Sequence, residues 1–387
     1  MTIEPQYTTA KARNWAGMMG VTGLLACLIG AFVDRAQLVQ SYLFAWWFFL
    51  GISLGALANL MIHQLTGGAW GVVIRKPLEA ASMAVPVIAV LFVPLAFGQQ
   101  DLYVWMRPAQ FADPALLEAK SWYLNPMFFW LRAIFYFAVW VVLALRLDRL
   151  LIEQSISSDP RPNAKLRATS IAGLILYALT VTFAAVDWIM SLTPQWYSTT
   201  FGLLVMLGQT LSAFAFAIAC AALLQRGDTT RARGDASHFH DLGNLLLMFV
   251  MTWAYLAFTQ YLIIWAADLP HEIAWYLPRT ETSWKWIGLF LVVFHIAVPF
   301  LVLLFRFAKR NATLLGALAG ALLFAHWADA LWLVAPAFRG DGFRLHWTDF
   351  AATLGIGGIW AAAVLTFYRH RPGQGAARGG LALNEAT

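Results

Sequence analysis

The chain has 387 residues, of which 60% are hydrophobic and 12% charged, and its mean hydropathy is +0.65. Ordinary soluble domains contain about 45 to 50% apolar and about 25% charged residues, so this composition excludes a water-soluble enzyme. The formal net charge of +6 does not indicate nucleic-acid binding, because the basic residues flank apolar runs, where they act as topology signals.

Ten apolar runs follow one another along the chain, and we number them spans 1 to 10. A bilayer core needs about 20 residues of apolar helix, and these runs are unbroken, which favours helices over a β-barrel. The predicted spans are 15–33, 42–62, 78–97, 127–146, 169–190, 201–225, 243–266, 285–305, 312–335 and 347–367. The sequence therefore predicts an all-α membrane protein of about ten transmembrane helices, with a polytopic domain over 1–370 and a disordered cytoplasmic tail over 371–387.

Basic residues divide unevenly between the two sides of these spans. The N-terminus, the even-numbered connections and the C-terminus hold eighteen Lys and Arg, and the odd-numbered connections hold seven when Lys285 at a helix edge is included. The positive-inside rule then predicts that both termini are cytoplasmic. We call the two sides of the membrane the even-loop side and the odd-loop side.

Few ionisable residues fall inside the spans, and each is a candidate functional residue, because a charge at mid-bilayer costs at least about 2.5 to 3.5 kcal/mol. They are Arg132 in span 4, Asp187 in span 5, and His326 with Asp329 in span 9. Asp187, next to Trp188, either forms a structural pair with Arg132 or accepts a proton in a polar cleft. His326 and Asp329 share a helix face. There the carboxylate either fixes the histidine tautomer or joins it in a proton relay.

Two further polar groups flank the spans. Asp268, His271 and Glu272 follow span 7 and are either solvated loop residues or part of a site on the odd-loop side. Pro77 followed by Glu79 predicts a helix start at which the carboxylate caps the first turn.

No metal centre is predicted within this chain. Cys27 and Cys220 lie in different apolar runs without metal-ligand spacing, so any redox metal is expected to belong to a partner. Haem ligation by His295 and His326 is disfavoured, because we expect these two histidines at different depths.

A weak internal repeat relates spans 5 and 9. Asp187 precedes Pro194 by seven residues, and Asp329 precedes Pro336 by seven. This pattern predicts two related four-helix bundles, spans 2–5 and spans 6–9, flanked by spans 1 and 10, with one carboxylate in each bundle. The hypothesis is a single polar cleft between the bundles that holds both aspartates and His326.

Four segments carry a resemblance to a known family: DWIMSLTPQWYSTTFG, QYLIIWAADLPHEIAWYLPR, MIHQLTGGAWGVVIRKPLEAA and WADALWLVAPAF. Together they resemble the ActF-type quinone-binding membrane subunit (subunit 2) of bacterial alternative complex III, a quinol:cytochrome c oxidoreductase, within the NrfD-like family. The resemblance runs across nearly all ten spans.

The resemblance implies a multi-pass subunit of the bacterial inner membrane that has no metal of its own and contributes to quinol interaction or proton movement. It implies an ActC-like sister subunit and periplasmic iron–sulfur and haem c subunits as partners, with a terminal oxidase as a further candidate. We expect a proton relay formed by Asp187, His326, Asp329 and Arg132, and quinol surroundings formed by Asp268, His271, Glu272 and Trp188. The alternatives are a proton-coupled secondary transporter and a structural anchor without a site.

Overall fold

The protein is a bundle of long helices in a computed structural model, which describes residues 4–111, 113–156, 164–225 and 236–370. No strand occurs among these residues. Nine of their helices are long and apolar enough to cross a membrane, and there are ten if the bent pair Trp70–Val90 and Val93–Leu102 is one span. The predicted all-α membrane fold is confirmed. The predicted tail, 371–387, lies outside the described residues.

Each predicted span coincides with an observed helix or, for spans 3 and 8, with consecutive helical segments. The spans are Glu4–Val33, Arg35–Thr66, Trp70–Ser82 with Val85–Val90 and Val93–Leu102, Pro126–Ile156, Ala164–Trp188, Phe201–Gln225, Ala236–Ala267, Lys285–Leu291 with Val292–Ala297 and Val298–Leu304, Ala312–Val334, and Trp347–His370. Short α-helices lie in the connections at Pro114–Lys120, Pro270–Ile273, Leu277–Glu281 and Arg306–Arg310.

Span 3 is bent by 61° before its last segment. Pro94 is the second residue of that segment and lies in its first turn, where its missing N–H does not weaken the helix. Side chains of span 2 satisfy the carbonyls at the bend: Tyr42 Oη donates to the Leu91 carbonyl at 2.9 Å, and Trp46 Nε1 donates to the Ile88 carbonyl at 2.9 Å. The bend is therefore built into the packing against span 2.

The helix that contains Pro77 begins seven residues earlier than the sequence suggested. Pro77 lies inside Trp70–Ser82, so the prediction that Glu79 caps a helix start there was wrong. Glu79 instead accepts a hydrogen bond from Arg75 Nε at 2.6 Å, one turn earlier on the same helix. Hydropathy did not mark the first two turns of this helix, because the helix is amphipathic and these turns carry Arg75 and Lys76.

The helix contacts agree with the predicted grouping of spans. Spans 2–5 form one closed ring of neighbours, spans 6–9 form another, and span 2 packs against span 6 between the two rings. The closest approach is at Gly55, where an added Cβ would lie 1.9 Å from the Gln209 carbonyl oxygen. Spans 1 and 10 pack against each other through glycines, since a Cβ on Gly23 would lie 2.3 Å from the Gly355 nitrogen. Span 2 is the central helix, with 94% of its apolar window buried.

Candidate functional site

Arg132 and Asp187 form a closed ion pair between spans 4 and 5. Arg132 Nε donates to Asp187 Oδ2 at 2.8 Å, and Nη2 donates to Oδ1 at 2.8 Å. Tyr136 Oη also donates to Oδ2, at 2.7 Å. The guanidinium stacks 3.9 Å from the centre of the Tyr123 ring. The predicted pair is confirmed, and its hydrogen bonds satisfy the carboxylate without a ligand.

Trp188 belongs to an aromatic core rather than to a cleft. Its side chain is fully buried, and its ring lies 5.1 Å from that of Trp46, 5.0 Å from that of Phe92 and 5.6 Å from that of Phe137. Such edge and offset contacts stabilise packing. The contacts of Trp188 therefore do not match the predicted quinol surroundings.

Two histidines face each other between spans 8 and 9. The ring centres of His295 and His326 are 5.9 Å apart, with 27° between the ring planes. The expectation that they lie at different depths was wrong: they lie about 15 Å and about 12 Å from the odd-loop ends of their helices at about 1.5 Å per residue. Both ring nitrogens of His295, and Nδ1 of His326, have no hydrogen-bond partner among the described residues. Unpartnered buried groups of this kind need a physical explanation, such as a ligand or water.

Asp329 completes this group from one turn further along span 9. Its Oδ2 lies 3.7 Å from His326 Nδ1, which is longer than a direct hydrogen bond. The side chains of Asp329 and His326 are both buried. The contact confirms that the two residues share a helix face, while the proton relay remains a prediction.

Local backbone features make room for these side chains. His295 lies in the π-helical segment Val292–Ala297, and single π-helical turns often occur at functional sites. On span 6, a Cβ added to Gly208 would lie 2.9 Å from His326 Cε1. The Trp253 ring closes the group from span 7, 4.2 Å from the His295 ring. We call His295, His326, Asp329, Trp253 and Gly208 the histidine site.

The structure separates the two aspartates into two places. Trp47 of span 2 contacts Trp188, with ring centres 6.3 Å apart, and the next residue, Phe48, contacts His326 at 6.0 Å. Span 2 thus places aromatic side chains against both groups, with the Asp187 ion pair in one bundle and the histidine site in the other. The hypothesis of one shared cleft does not fit these contacts.

The polar residues after span 7 lie on the surface. Asp268 and His271 are exposed, Glu272 is half-buried, and Asp268 has a φ of +47°. The His271 ring stacks on Tyr197 with a centre separation of 5.9 Å. None of the described contacts joins these residues to the histidine site.

Arg279 is a buried cation that the sequence did not single out. It donates through Nη2 to the Leu333 carbonyl at 2.9 Å and through Nε to the Trp332 carbonyl at 3.2 Å, which are at the odd-loop end of span 9. Its guanidinium lies 3.5 Å from the centre of the Trp275 ring. Burial lowers the pKa of Arg279 to about 9, so it is still charged at neutral pH. Arg279 thus holds the end of the helix that carries His326 and Asp329.

A second buried ion pair, also missed, joins the ninth connection to span 10. Arg339 Nη2 donates to Asp349 Oδ1 at 2.8 Å, and Ser41 Oγ of span 2 donates to the same oxygen at 2.6 Å. Asp349 lies two residues inside the predicted start of span 10, and that position was the available signal. The pair fixes the entry of span 10 and takes no part in the histidine site.

Among the residues that the structure describes, no group of three or more His, Cys, Asp or Glu has the arrangement of a metal site. No protein-family model and no curated protein matches the chain. Fold and site together define a multi-pass all-α membrane protein with a buried histidine–aspartate group between spans 8 and 9.

Proposed function

We propose that this chain is the ActF-type membrane subunit of a bacterial quinol:cytochrome c oxidoreductase, and that its histidine site exchanges protons with quinol. The observation that carries the proposal is the pair of buried imidazoles next to Asp329, in which both nitrogens of His295 and Nδ1 of His326 have no hydrogen-bond partner among the described residues. The resemblance of four segments to the family supports the same conclusion independently of the site.

The chemistry of quinol oxidation suits such a site. Each quinol loses two protons and two electrons, and imidazole and carboxylate side chains are suited to the proton half of that reaction. A neutral imidazole accepts a proton on its free nitrogen, and a nearby carboxylate can take it on. His295 or His326 would accept the hydroxyl proton and Asp329 would pass it to water, while the electrons would leave to redox groups of the partner subunits.

The Asp187 ion pair is less suited to this role than the sequence suggested. Its carboxylate already accepts hydrogen bonds from Arg132 and Tyr136. Protonation would break an ion pair in a buried place, which is costly. Asp187 is therefore assigned a structural role in this proposal, and the proton role passes to Asp329 and the two histidines.

The transporter alternative has one observation in its favour, the 61° bend in span 3. Secondary transporters use broken helices whose free backbone groups bind substrate near mid-membrane. Here Tyr42 and Trp46 already occupy the carbonyls at the bend. These two carbonyls are therefore not free to bind a transported substrate. The redox-complex proposal, in contrast, gives a role to the buried histidines and Asp329.

The test uses the complex purified with its iron–sulfur and multihaem cytochrome partners. We expect His326→Gln, His295→Gln and Asp329→Asn to lower quinol:cytochrome c turnover by about 10² or more while the complex still assembles, because a positioned acid or base contributes about 10² to 10⁴. His240→Gln is the matched control, since this histidine lies at the even-loop end of span 7, away from the histidine site.

Full turnover in all three site variants, at normal assembly, would leave the structural-anchor alternative. Purification of the chain as a solitary, stable monomer would instead favour a transporter.

A further inference from the structure

The even-loop end of span 4 carries a groove that lies apart from the histidine site. The groove has a volume of about 410 Å³ and is lined by Val142, Leu145, Arg146, Arg149 and Leu150. Residues three or four apart share a helix face, so these five side chains form one stripe along span 4. The stripe is apolar at Val142 and Leu145 and cationic at Arg146 and Arg149. We call it the span 4 groove.

The two arginines of the groove lie at the edge of the hydrocarbon core. Arg146 ends the apolar run 127–146, whose length at about 1.5 Å per residue matches a core of about 30 Å. Arg149 is one turn further from the membrane centre. Val142 and Leu145, with exposed fractions of 60% and 49%, lie on the inner side of this edge. The groove therefore crosses the boundary at which lipid headgroups meet acyl chains.

The guanidinium groups of this groove are positioned but not neutralised. Arg146 Nε donates to Thr169 Oγ1 of span 5 at 3.1 Å, which holds its head against the neighbouring helix. Among the residues that the structure describes, no carboxylate forms an ion pair with Arg146 or Arg149. Arg75, on the same side of the membrane, is in contrast paired with Glu79 at 2.6 Å. Two adjacent cations at the core edge thus have no counter-charge from the described part of the chain.

We propose that the span 4 groove binds an anionic phospholipid, with the phosphate on Arg146 and Arg149 and an acyl chain along Val142 and Leu145. Guanidinium groups bind phosphate oxygens through paired N–H donors. Basic pockets between transmembrane helices bind anionic lipid headgroups in the same way. A zwitterionic lipid such as phosphatidylethanolamine fits less well, because its ammonium group would lie beside two guanidinium groups.

The apolar half of the groove favours a lipid over a free phosphate ion. A phosphate ion would contact the two arginines and leave the exposed surface of Val142 and Leu145 uncovered, whereas a phospholipid covers both halves. The positive-inside rule accounts for the charge of the arginines. It does not account for their position three residues apart, at the end of an exposed apolar stripe.

The test measures lipid binding to the purified full chain, with any subunits that copurify, by native mass spectrometry. Phosphatidylglycerol and phosphatidylethanolamine with identical acyl chains are titrated into the protein in detergent. We expect the first phosphatidylglycerol to bind about tenfold more tightly than the first phosphatidylethanolamine. Arg149→Gln, which keeps the Arg146 contact with Thr169, should remove most of this preference. Arg306→Gln is the matched control, because it removes an exposed arginine from the same side of the membrane, and it should leave the preference unchanged.

A second pair of variants tests the apolar half of the groove. Val142→Trp fills the groove without changing its charge, so we expect phosphatidylglycerol to bind several-fold more weakly. Ile134→Trp is its control, because Ile134 is 65% exposed on the same helix and does not line the groove. Excess inorganic phosphate should not release the bound lipid.

The proposal is overturned by equal binding of the two lipids, by equal losses in Arg149→Gln and Arg306→Gln, or by unchanged binding in Val142→Trp. Release of the lipid by inorganic phosphate would also overturn it and would indicate a simple anion site. The proposal does not depend on quinol chemistry, so loss of turnover in the histidine-site variants has no bearing on it.

Discussion

Asp187 and Asp329 occupy matching places seven residues before a proline, but their surroundings differ. Asp187 accepts two hydrogen bonds from Arg132 and one from Tyr136. Asp329 Oδ2 instead lies 3.7 Å from Nδ1 of His326, and that nitrogen has no hydrogen-bond partner among the described residues. One carboxylate is thus held by a permanent charge, whereas the other faces groups that can change protonation.

Asp187→Asn is expected to destabilise the protein without changing turnover per assembled complex. The amide can no longer neutralise the Arg132 guanidinium, and breaking one partner of a buried pair costs about 3 to 5 kcal/mol. The measurement is the midpoint of thermal denaturation of the purified complex, together with turnover normalised to assembled enzyme. Replacing both residues by leucine should recover much of the stability, since well-packed apolar substitutes for buried pairs are often neutral. Reduced turnover with normal stability would return Asp187 to the proton path.

Gly208→Ala is expected to lower turnover at least tenfold by displacing His326. The new Cβ would lie 2.9 Å from His326 Cε1, so the ring must move within a packed site. Overpacking of this kind also costs about 1 to 3 kcal/mol. Gly320→Ala in span 9 is the control, because no atom lies within 4 Å of its added Cβ. Equal turnover in the two variants would contradict a functional role for the position of the His326 ring.

At the scale of the helix, the crossing of spans 2 and 6 joins the two bundles. Gly51 and Gly55 have the GxxxG spacing that permits close approach of helices. Only Gly55 is in intimate contact, because an added Cβ there meets the Gln209 backbone, while one at Gly51 would lie 3.4 Å from Gln209 Cγ. The motif thus depends on one glycine much more than on the other.

Gly55→Ala is therefore expected to prevent the two bundles from packing. A Cβ only 1.9 Å from the Gln209 carbonyl oxygen cannot be accommodated without separating the two backbones. The amount of protein that accumulates in the membrane, measured by immunoblot, should fall severely. Gly51→Ala, one turn earlier on the same face, should accumulate normally. Normal amounts of the Gly55 variant would show that the crossing is looser than its geometry indicates.

Hydropathy was sufficient to predict the spans, because about 20 apolar residues in lipid have no alternative to a helix. The energetic cost of burying a charge was likewise sufficient to predict the Arg132–Asp187 pair. The contact of His295 with His326 could not be predicted, since it depends on a π-helical turn that shifts side-chain direction without any sequence marker that we recognise. Arg279 was missed because it lies outside the spans, where the sequence alone predicts that a basic residue is solvated. Its burial depends on the packing of the folded chain.

At the scale of the whole molecule, the predicted orientation in the membrane rests on the distribution of basic residues. The basic residues of the odd-loop side count against that orientation and need an explanation. Most of them have a structural contact there: Arg35 with Asp101 at 3.1 Å, Lys120 with the Pro194 carbonyl at 2.6 Å, Arg279 with the end of span 9, Arg339 with Asp349, and Arg344 with Asp341 at 2.5 Å. These contacts give basic residues of the odd-loop side a structural role in addition to any effect on orientation. The eighteen basic residues of the other side are then the dominant topology signal.

We accordingly expect a cytoplasmic C-terminus, with His326 and Asp329 in the outer half of the membrane. A green fluorescent protein fused after residue 370 should fluoresce, and alkaline phosphatase fused there should be inactive, because the phosphatase folds only outside the cytoplasm. A phosphatase fusion truncated after Lys120, in the third connection, should be active, which controls for expression. Since the odd-loop end of span 9 is the nearer end for His326 and Asp329, an active phosphatase at the C-terminus would move these two residues to the cytoplasmic half. They would then release quinol protons on the wrong side for a periplasmic electron acceptor.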